Sequence, residues 1–381
     1  MPEASPFQSF FLGGFECSSH RLPSGRRLDL IAATGHDRHV AEDYARLRER
    51  GISTAREGIR WHLIEPNPGH FDFSSVRPMH VAAREAGIQV IWDILHYGWP
   101  DDLDVFGPHF VARFARLARA FAEFLAAEGC EAPWFVPINE ISFLSWTGGE
   151  VGLLNPFARG RGFELKVQLV RASIAAIREI RVVIPAARFA HVEPIFHVIA
   201  HPGRPHEAPD AEAYRLAQYQ AWDMLSGRMC PELGGRPDDL DAIGVNYYPW
   251  NQWIFEGETA DGTTIGPETP GYRPFRAMLR ENAERYGRPL FVAETGAEAE
   301  ERAGWLASVG EEVRGAIDEG VPVEGICLYP ILKFPGWNDD RDIPNGLWGH
   351  PDEAGVRPVD EAYLLELARQ QRLLEPLPLP S

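Results

Sequence analysis

Two apolar runs in this chain stop abruptly at a glutamate: Pro137-Ile138-Asn139-Glu140 and Val292-Ala293-Glu294-Thr295-Gly296. Ending a hydrophobic strand on a carboxylate is costly unless the charge has a partner or a task. A lone strand-end glutamate usually caps a loop or pairs with arginine. Two of them on opposite rims of one cleft can cleave an acetal. One attacks the anomeric carbon, while the other protonates the departing oxygen and then activates water. Such a double displacement calls for carboxyl groups about 5–5.5 Å apart, whereas about 6.5–9.5 Å would indicate inversion.

Such carboxylates need a scaffold that gathers strand ends. Short β-rich runs at 12–17, 54–61, 89–96, 134–139, 187–193, 241–248, 289–295 and 325–330 alternate with helical periodicities. Phe110, Phe114, Leu117, Phe121 and Leu125 mark one apolar helical face, and Leu169, Ile174, Ile177 and Ile180 another. Gly51, Gly87, Pro133, Gly287 and Gly325 punctuate the elements before strands. Eight strands alternating with helices predict an α/β fold, a single (β/α)8 TIM barrel, in which polar residues at the C-terminal strand ends face the site. No linker or internal repeat interrupts the chain, so we expect one domain over 1–381, with 375–381 a loose tail. The segments 201–210 and 256–272 follow expected strands, where a barrel places loops over its active site.

Composition narrows the partners. The 381 residues are 45% apolar, 24% charged and 11% aromatic, which is ample for a folded core. With 37 Lys+Arg against 55 Asp+Glu, the formal charge of −18 disfavours nucleic acid and anionic membranes and suits neutral ligands such as sugars. No apolar run is long enough for a transmembrane helix, and the N-terminal stretch lacks the features of a secretory signal, so the cytoplasm is the expected location. Cys17, Cys130, Cys230 and Cys327 are scattered and read as reduced thiols. The cluster His36-Asp37-Arg38-His39 has metal-like spacing but lies just before an expected helix start at Glu42-Asp43, so it reads as loop and cap. Neither a metal nor a cofactor is expected, since no His-x-His strand and no glycine-rich phosphate loop occurs.

The neighbours of the two glutamates are specific. Arg56 lies in Ala55-Arg56-Glu57-Gly58-Ile59-Arg60-Trp61, His96 in Leu95-His96-Tyr97-Gly98-Trp99-Pro100, and Tyr248 ends Gly244-Val245-Asn246-Tyr247-Tyr248. With these residues the chain, from about Gly13 to Trp348, resembles the clan of retaining (β/α)8 glycosidases, and within it family 1 glycoside hydrolases, the β-glucosidase-like group. The resemblance implies that Asn139-Glu140 is the acid/base dipeptide and that Ala293-Glu294-Thr295-Gly296-Ala297 carries the nucleophile, with Thr295 where the family commonly has Asn. It places His96 and Arg56 on the family's strand-three histidine and strand-two arginine, and Tyr248 beside the nucleophile. Trp146, Gly149, Gly152 and Pro156 fall where the family has a loop after the acid/base.

Two departures bear on the sugar. Where the family presents Gln after strand one, this chain has Glu16-Cys17-Ser18-Ser19-His20-Arg21. After strand eight it has Tyr329-Pro330-Ile331-Leu332-Lys333-Phe334-Pro335-Gly336-Trp337, with no equivalent of the glutamate that grips a glucose-type ring.

Roles follow from the resemblance and from electrostatics. Glu294 is the expected nucleophile, its pKa lowered by Arg56 and the Tyr248 hydroxyl, and Glu140 the expected acid/base, its pKa raised by burial and by Glu294. Asn139 is an expected partner of the sugar 2-hydroxyl or of a strand-end backbone group. His96 is a sugar ligand, a core histidine or a metal ligand. Of Trp61, Trp99, Trp146, Trp250, Trp253 and Trp337, we expect Trp337 in the cleft. Glu193 is the rival carboxylate, in a subsite or structural. The leading expectation is a retaining exo-acting β-glycosidase on a carbohydrate substrate. The alternatives are an endo-acting glycanase or transglycosylase on a longer glycan, and a catalytically silent sugar-binding relative. Sugar, linkage and oligomeric state are not encoded in these patterns.

Overall fold

Runs of Val, Ile, Phe and Ala that are apolar on both faces can be buried only between a packed interior and a surrounding layer of helices. A computed structural model describes residues 5–258, 262–337 and 341–375. Its strands are β1 (Phe11–Gly14), β2 (Thr54–Gly58), β3 (Gln89–Leu95), β4 (Trp134–Ile138), β5 (Arg188–Pro194), β6 (His197–Ala200), β7 (Ala242–Asn246), β8 (Gln252–Phe255), β9 (Leu290–Thr295) and β10 (Val323–Leu328). Eight of them close a barrel in the order β1-β2-β3-β4-β5-β7-β9-β10, with β10 pairing back onto β1 in parallel. The (β/α)8 barrel expected from the alternation is thus the fold.

Strand positions agree with the sequence reading to within a few residues, and the differences have local causes. β1 stops at Gly14, and Phe15 instead stacks on the His36 ring, 3.8 Å between centroids. β10 begins at Val323, so Gly325 lies inside a strand rather than before it; a Cβ there would press on Leu12. Gly51, Gly87 and Gly287 do end helices, each with positive φ. The paired strands β6 and β8, outside the barrel, were not anticipated. Each has four residues, and His197 and Gln252 at their starts make them read as loop.

The core has two layers. Inside the barrel, Leu12, Ile91, Val136, Val192, Phe291 and Ala293 pack together, and Phe7 closes the N-terminal end against Trp134 and Phe291, at 5.4 and 5.0 Å. Outside it, the helix Phe110–Ala127 buries Phe110, Phe114, Leu117, Phe121 and Leu125, as their spacing requires. Each such side chain contributes roughly 1.5–3 kcal/mol by leaving water. The helix Gly162–Val183 does the same with Leu169, Ile174, Ile177 and Ile180. No helix among the described residues is long and apolar enough to cross a membrane.

The metal-like histidine cluster is a charged staple. The helix starts at His36, six residues before the expected start, with Gly35 as its cap. Buried His36 places Nδ1 2.9 Å from Asp43 and Nε2 2.7 Å from Glu57, while Arg357 clamps Asp43 through Nε and Nη2 at 2.7 and 2.9 Å. Tyr44 donates to the same Glu57 oxygen at 2.8 Å. The network joins β2, the first long helix and the segment before the last helix, Glu361–Leu374. That helix is tied down as well. Glu375, expected to begin a loose tail, accepts hydrogen bonds from the Phe10 and Phe11 amides at 2.8 and 3.1 Å. The remainder of that tail, 376–381, lies outside the described residues.

Burial works against a charge on His36, but Glu57 and Asp43 outweigh it and lift its pKa to about 9. A histidine whose pKa rises on folding stabilises fully below its unfolded value near 6.5 and loses that contribution as pH passes the folded value. Thermal unfolding of wild type and His36→Gln should therefore differ most at pH 6, by an amount on the order of 3 kcal/mol, and the gap should close above pH 9. A gap that does not change between pH 6 and 10 would contradict the charged state of His36.

Candidate active site

At the C-terminal rim of the barrel, an arginine side chain is buried from β2. Arg56 is 1% exposed, and each of its five N–H donors has an acceptor. Nε and Nη2 donate to the two Asp93 oxygens on β3 at 3.0 and 2.6 Å. Nη2 also reaches Asn139 Oδ1 at 2.6 Å, and Nη1 reaches the Ala293 carbonyl at 3.2 Å and Glu294 Oε1 at 2.8 Å. One guanidinium thus fixes groups on β3, β9 and the end of β4. The Tyr329 ring lies against it, its centroid 5.4 Å from Cζ. Gly14 makes room for that ring, since any Cβ there would collide with it.

The glutamates have different surroundings. Glu294 accepts from Arg56 at Oε1 and from the Tyr248 hydroxyl at Oε2, 2.9 Å away. Glu140 accepts from Asn246 Nδ2 at Oε1, 2.7 Å, and from the Tyr97 hydroxyl at Oε2. Asn246 also pairs with Glu294 across the β7–β9 ladder, so one residue spans the two carboxylates. Glu140 and Tyr97 both have left-handed backbones, with φ of 47° and 64°. This conformation costs roughly 1–2 kcal/mol for a residue with a side chain, and it occurs here at two residues that hydrogen-bond to each other.

Burial pushes the Glu140 carboxyl up, the Glu294 charge pushes it further, and the hydrogen bonds from Tyr97 and Asn246 pull back, leaving it at about 8. The expectation for Glu294 is corrected. Burial raises its pKa, and the opposing pull of Arg56 and His96 does not bring it below the ordinary carboxylate range. Of the two carboxyls, Glu294 has the guanidinium and is the first to ionise.

Both glutamates line a cavity of about 730 Å³, a size that holds a sugar together with what is attached to it. Of the other expected site residues, His96, Tyr248 and Trp337 line it and Arg56 and Asn139 do not. The Asn139 amide is occupied by Arg56, by the Tyr97 hydroxyl at 3.0 Å and by His96 Nε2 at 3.1 Å, so both residues sit beneath the cavity surface. Trp337 meets the Tyr97 ring edge-on at 5.2 Å. Trp146, Trp250 and Trp253 also line the cavity, whereas Trp61 and Trp99 are buried elsewhere. Glu193 lies outside the lining and accepts from the Ser142 amide at 2.9 Å, steadying the turn after Glu140. Of the two loops, 256–272 contributes Gly262 and Thr264, and 201–210 contributes nothing to the wall. Residues 259–261 of the first lie outside the described residues, as do 338–340 after Trp337.

Sequence reasoning missed Glu16, Asp93, Tyr97 and Asn246. Glu16 lines the cavity, with Oε1 held by the Ser18 amide and hydroxyl at 2.9 and 2.6 Å and 3.8 Å from His96 Nε2. The strand-end filter that found Glu140 applies equally to Glu16, two residues past β1. Among the described residues, Cys17, Asp93 and His96 are close enough together to ligate a metal. Asp93 has both oxygens on Arg56 and His96 turns Nδ1 to Asp93 at 2.9 Å, so a cation would have to displace a guanidinium from its carboxylate. The donor set fits hydrogen bonding, not a metal.

No family model matches the chain, and no curated protein matches it in sequence. Solved structures do match. A family 1 β-glucosidase from Thermotoga maritima aligns with a TM-score of 0.77 over 96% of this chain and 98% of its own, at 17% identity. The same enzyme in complex with glucoimidazole gives 0.76 at 17% identity, covering 95% and 98%. The AHE enzyme from Alicyclobacillus herbarius gives 0.79 at 19% identity, covering 96% and 98%. The chain therefore has the fold of family 1 β-glucosidases over nearly its whole length.

The electrostatics can be checked without any substrate. Carboxyl titration by ¹³C NMR should place Glu140 near pH 8, and Glu294→Gln, which removes the nearby charge, should lower that value by a unit or more. An unchanged Glu140 would mean that the two carboxylates do not interact.

Proposed function

We propose that this protein is a retaining β-glycoside hydrolase that works by double displacement on two glutamates. The observation that carries the reading is the unequal environment of the pair: Glu294 on a saturated guanidinium and Glu140 in a site that keeps its proton to about pH 8. Two titratable groups pushed apart in this way divide into a nucleophile and an acid. The fold shared with family 1 β-glucosidases, one of them in complex with glucoimidazole, supports a carbohydrate substrate.

Ionised Glu294 attacks the anomeric carbon as Glu140 gives its proton to the glycosidic oxygen. The carbon–oxygen bond breaks, the alcohol leaves, and the sugar remains as an ester of Glu294. Esterification removes the charge that had raised the Glu140 pKa, so Glu140 then accepts a proton from water, which attacks the same carbon and frees Glu294. Atoms balance with water alone, and no cofactor takes part. Arg56 and Tyr248 hold Glu294 in place, and Asn139 holds Arg56 and Tyr97. His96, Trp337 and Glu16 face the sugar from the strands that run from β9 through β1 to β4.

Turnover of aryl β-glycosides (glucoside, galactoside, mannoside, xyloside and fucoside) tests the reading. Glu294→Ala should lose at least about 10³-fold in kcat, and Glu140→Ala about 10²–10⁴-fold, with azide restoring the latter and giving a β-glycosyl azide. An α-azide would mean inversion, and binding without turnover of any of the five would leave a silent sugar binder.

The pH profile provides an independent check. The kcat/KM should fall on the acid side as Glu294 is protonated and on the alkaline side near pH 8 as Glu140 loses its proton. An alkaline limb that stays put in Tyr97→Phe would separate it from Glu140, because losing that hydrogen bond should move the Glu140 pKa upward.

A further inference from the structure

The chain holds 37 basic residues, of which only Lys166 and Lys333 are lysines. Lys333 pairs with Asp342 at the surface. Lys166 lines the cavity. It projects from the first turns of the helix Gly162–Val183, and its one hydrogen bond among the described residues goes to the neutral Gln220 Oε1 at 2.8 Å. Glu193 acts on it only at longer range, and burial lowers its pKa. Lys166 has lost part of its water and, among the described residues, has no carboxylate within ion-pair distance; Glu193 compensates its charge only through space, which leaves room for a ligand anion to pair with it directly. An arginine here would fan its donors over several acceptors, whereas lysine offers a compact charge to one.

The wall around it is aromatic. Phe196, Tyr214 and Trp253 also line this part of the cavity, with Phe196 5.5 Å from Tyr214 and 5.1 Å from Trp253. Trp253 lies on β8, and Val198 on β6 with Phe255 on β8 supports the cluster from behind. Position relative to the chemistry identifies the occupant. Glu140 and Glu294 divide the rim into two arcs. The arc through β10, β1 and β3 carries Glu16, His96, Tyr329 and Trp337, and the arc through β7 and β5 leads out to Lys166 and the aromatic wall. Ser142, two residues past Glu140, lines the cavity together with Lys166. This second arc therefore adjoins Glu140, the group that would protonate a departing oxygen.

Resting on the hydrolase reading for which group departs, we infer that this arc is a subsite for an aromatic leaving group bearing a carboxylate, its ring against Phe196, Tyr214 and Trp253 and its charge on Lys166. The substrate class is then a glycoside of a hydroxyaryl carboxylic acid. Three aromatic faces suit a flat ring better than a hydroxyl-rich sugar, and a single cation sets a preference for one anionic group.

Binding of the free leaving groups tests this without hydrolysis. Calorimetry on the full chain would compare 4-hydroxybenzoate with its isosteric neutral amide, 4-hydroxybenzamide. Wild type should bind the acid at least tenfold more tightly, and in both Lys166→Met and Lys166→Gln that ratio should fall to near one. The matching aryl glycosides should show the same preference in kcat/KM and the same collapse. Equal binding of acid and amide by wild type would overturn the inference even if both variants failed to fold, and so would a preference that survives in the variants. If glycosides are hydrolysed without any acid preference, this subsite is wrong and the hydrolase reading stands. If the acid preference appears without turnover, the subsite stands and the hydrolase reading is wrong.

Discussion

Arg56 is the constraint on which the site depends. A guanidinium taken wholly out of water is tolerable only when all its donors are met, and here they are met by Asp93, Asn139, the Ala293 carbonyl and Glu294. Satisfying it fixes the relative heights of β2, β3 and β9 and the exit of β4. Hydrogen bonds then pass this order on to the groups above it: Asn139 to Tyr97, Tyr97 to Glu140, and Glu294 to Tyr248. Because Arg56 cannot lose its proton, the charge that opposes protonation of Glu294 is permanent.

The same economy explains why two carboxylates can be buried in one cavity. They share no hydrogen-bond donor. Glu294 draws on a cation and a phenol, and Glu140 on an amide and another phenol, so their affinities for protons separate by environment. Asn246 couples them mechanically without equalising them, since its backbone belongs to the ladder beside Glu294 and its amide to Glu140. The left-handed turns at Tyr97 and Glu140 are a local cost of keeping both side chains over the barrel mouth, offset by packing around them.

What could be read in the sequence followed from how local its cause was. The eight barrel strands were legible because apolar runs bounded by turn residues repeat regularly, and the helical faces because Phe110 to Leu125 recur at steps of three and four. Glu140 and Glu294 stood out by chemical contrast with the runs they end. Asp93 did not, because a carboxylate within a strand gains meaning only from an arginine 37 residues away in sequence. Tyr97 and Asn246 were hidden for the same reason: their partners are set by barrel closure and not by spacing. The His36 cluster was misread in extent because its staple needs Arg357, which no local pattern connects to it. β6 and β8 were missed because four-residue strands with polar starts carry no period, yet they support one wall of the cavity.

Closure of the ring also constrains the order in which the chain can acquire its structure. β1 has its second neighbour only once β10 exists, Asp43 its clamp only once Arg357 exists, and the amides of Phe10 and Phe11 their acceptor only once Glu375 exists. Contacts this far apart in sequence close late and slowly. During synthesis the first strand and the helix beginning at His36 therefore wait, partly unpaired, while more than three hundred further residues emerge. A nascent chain of this protein spends most of its time on the ribosome with its first strand exposed to whatever else could pair with it, the stage at which chaperones have the most to protect.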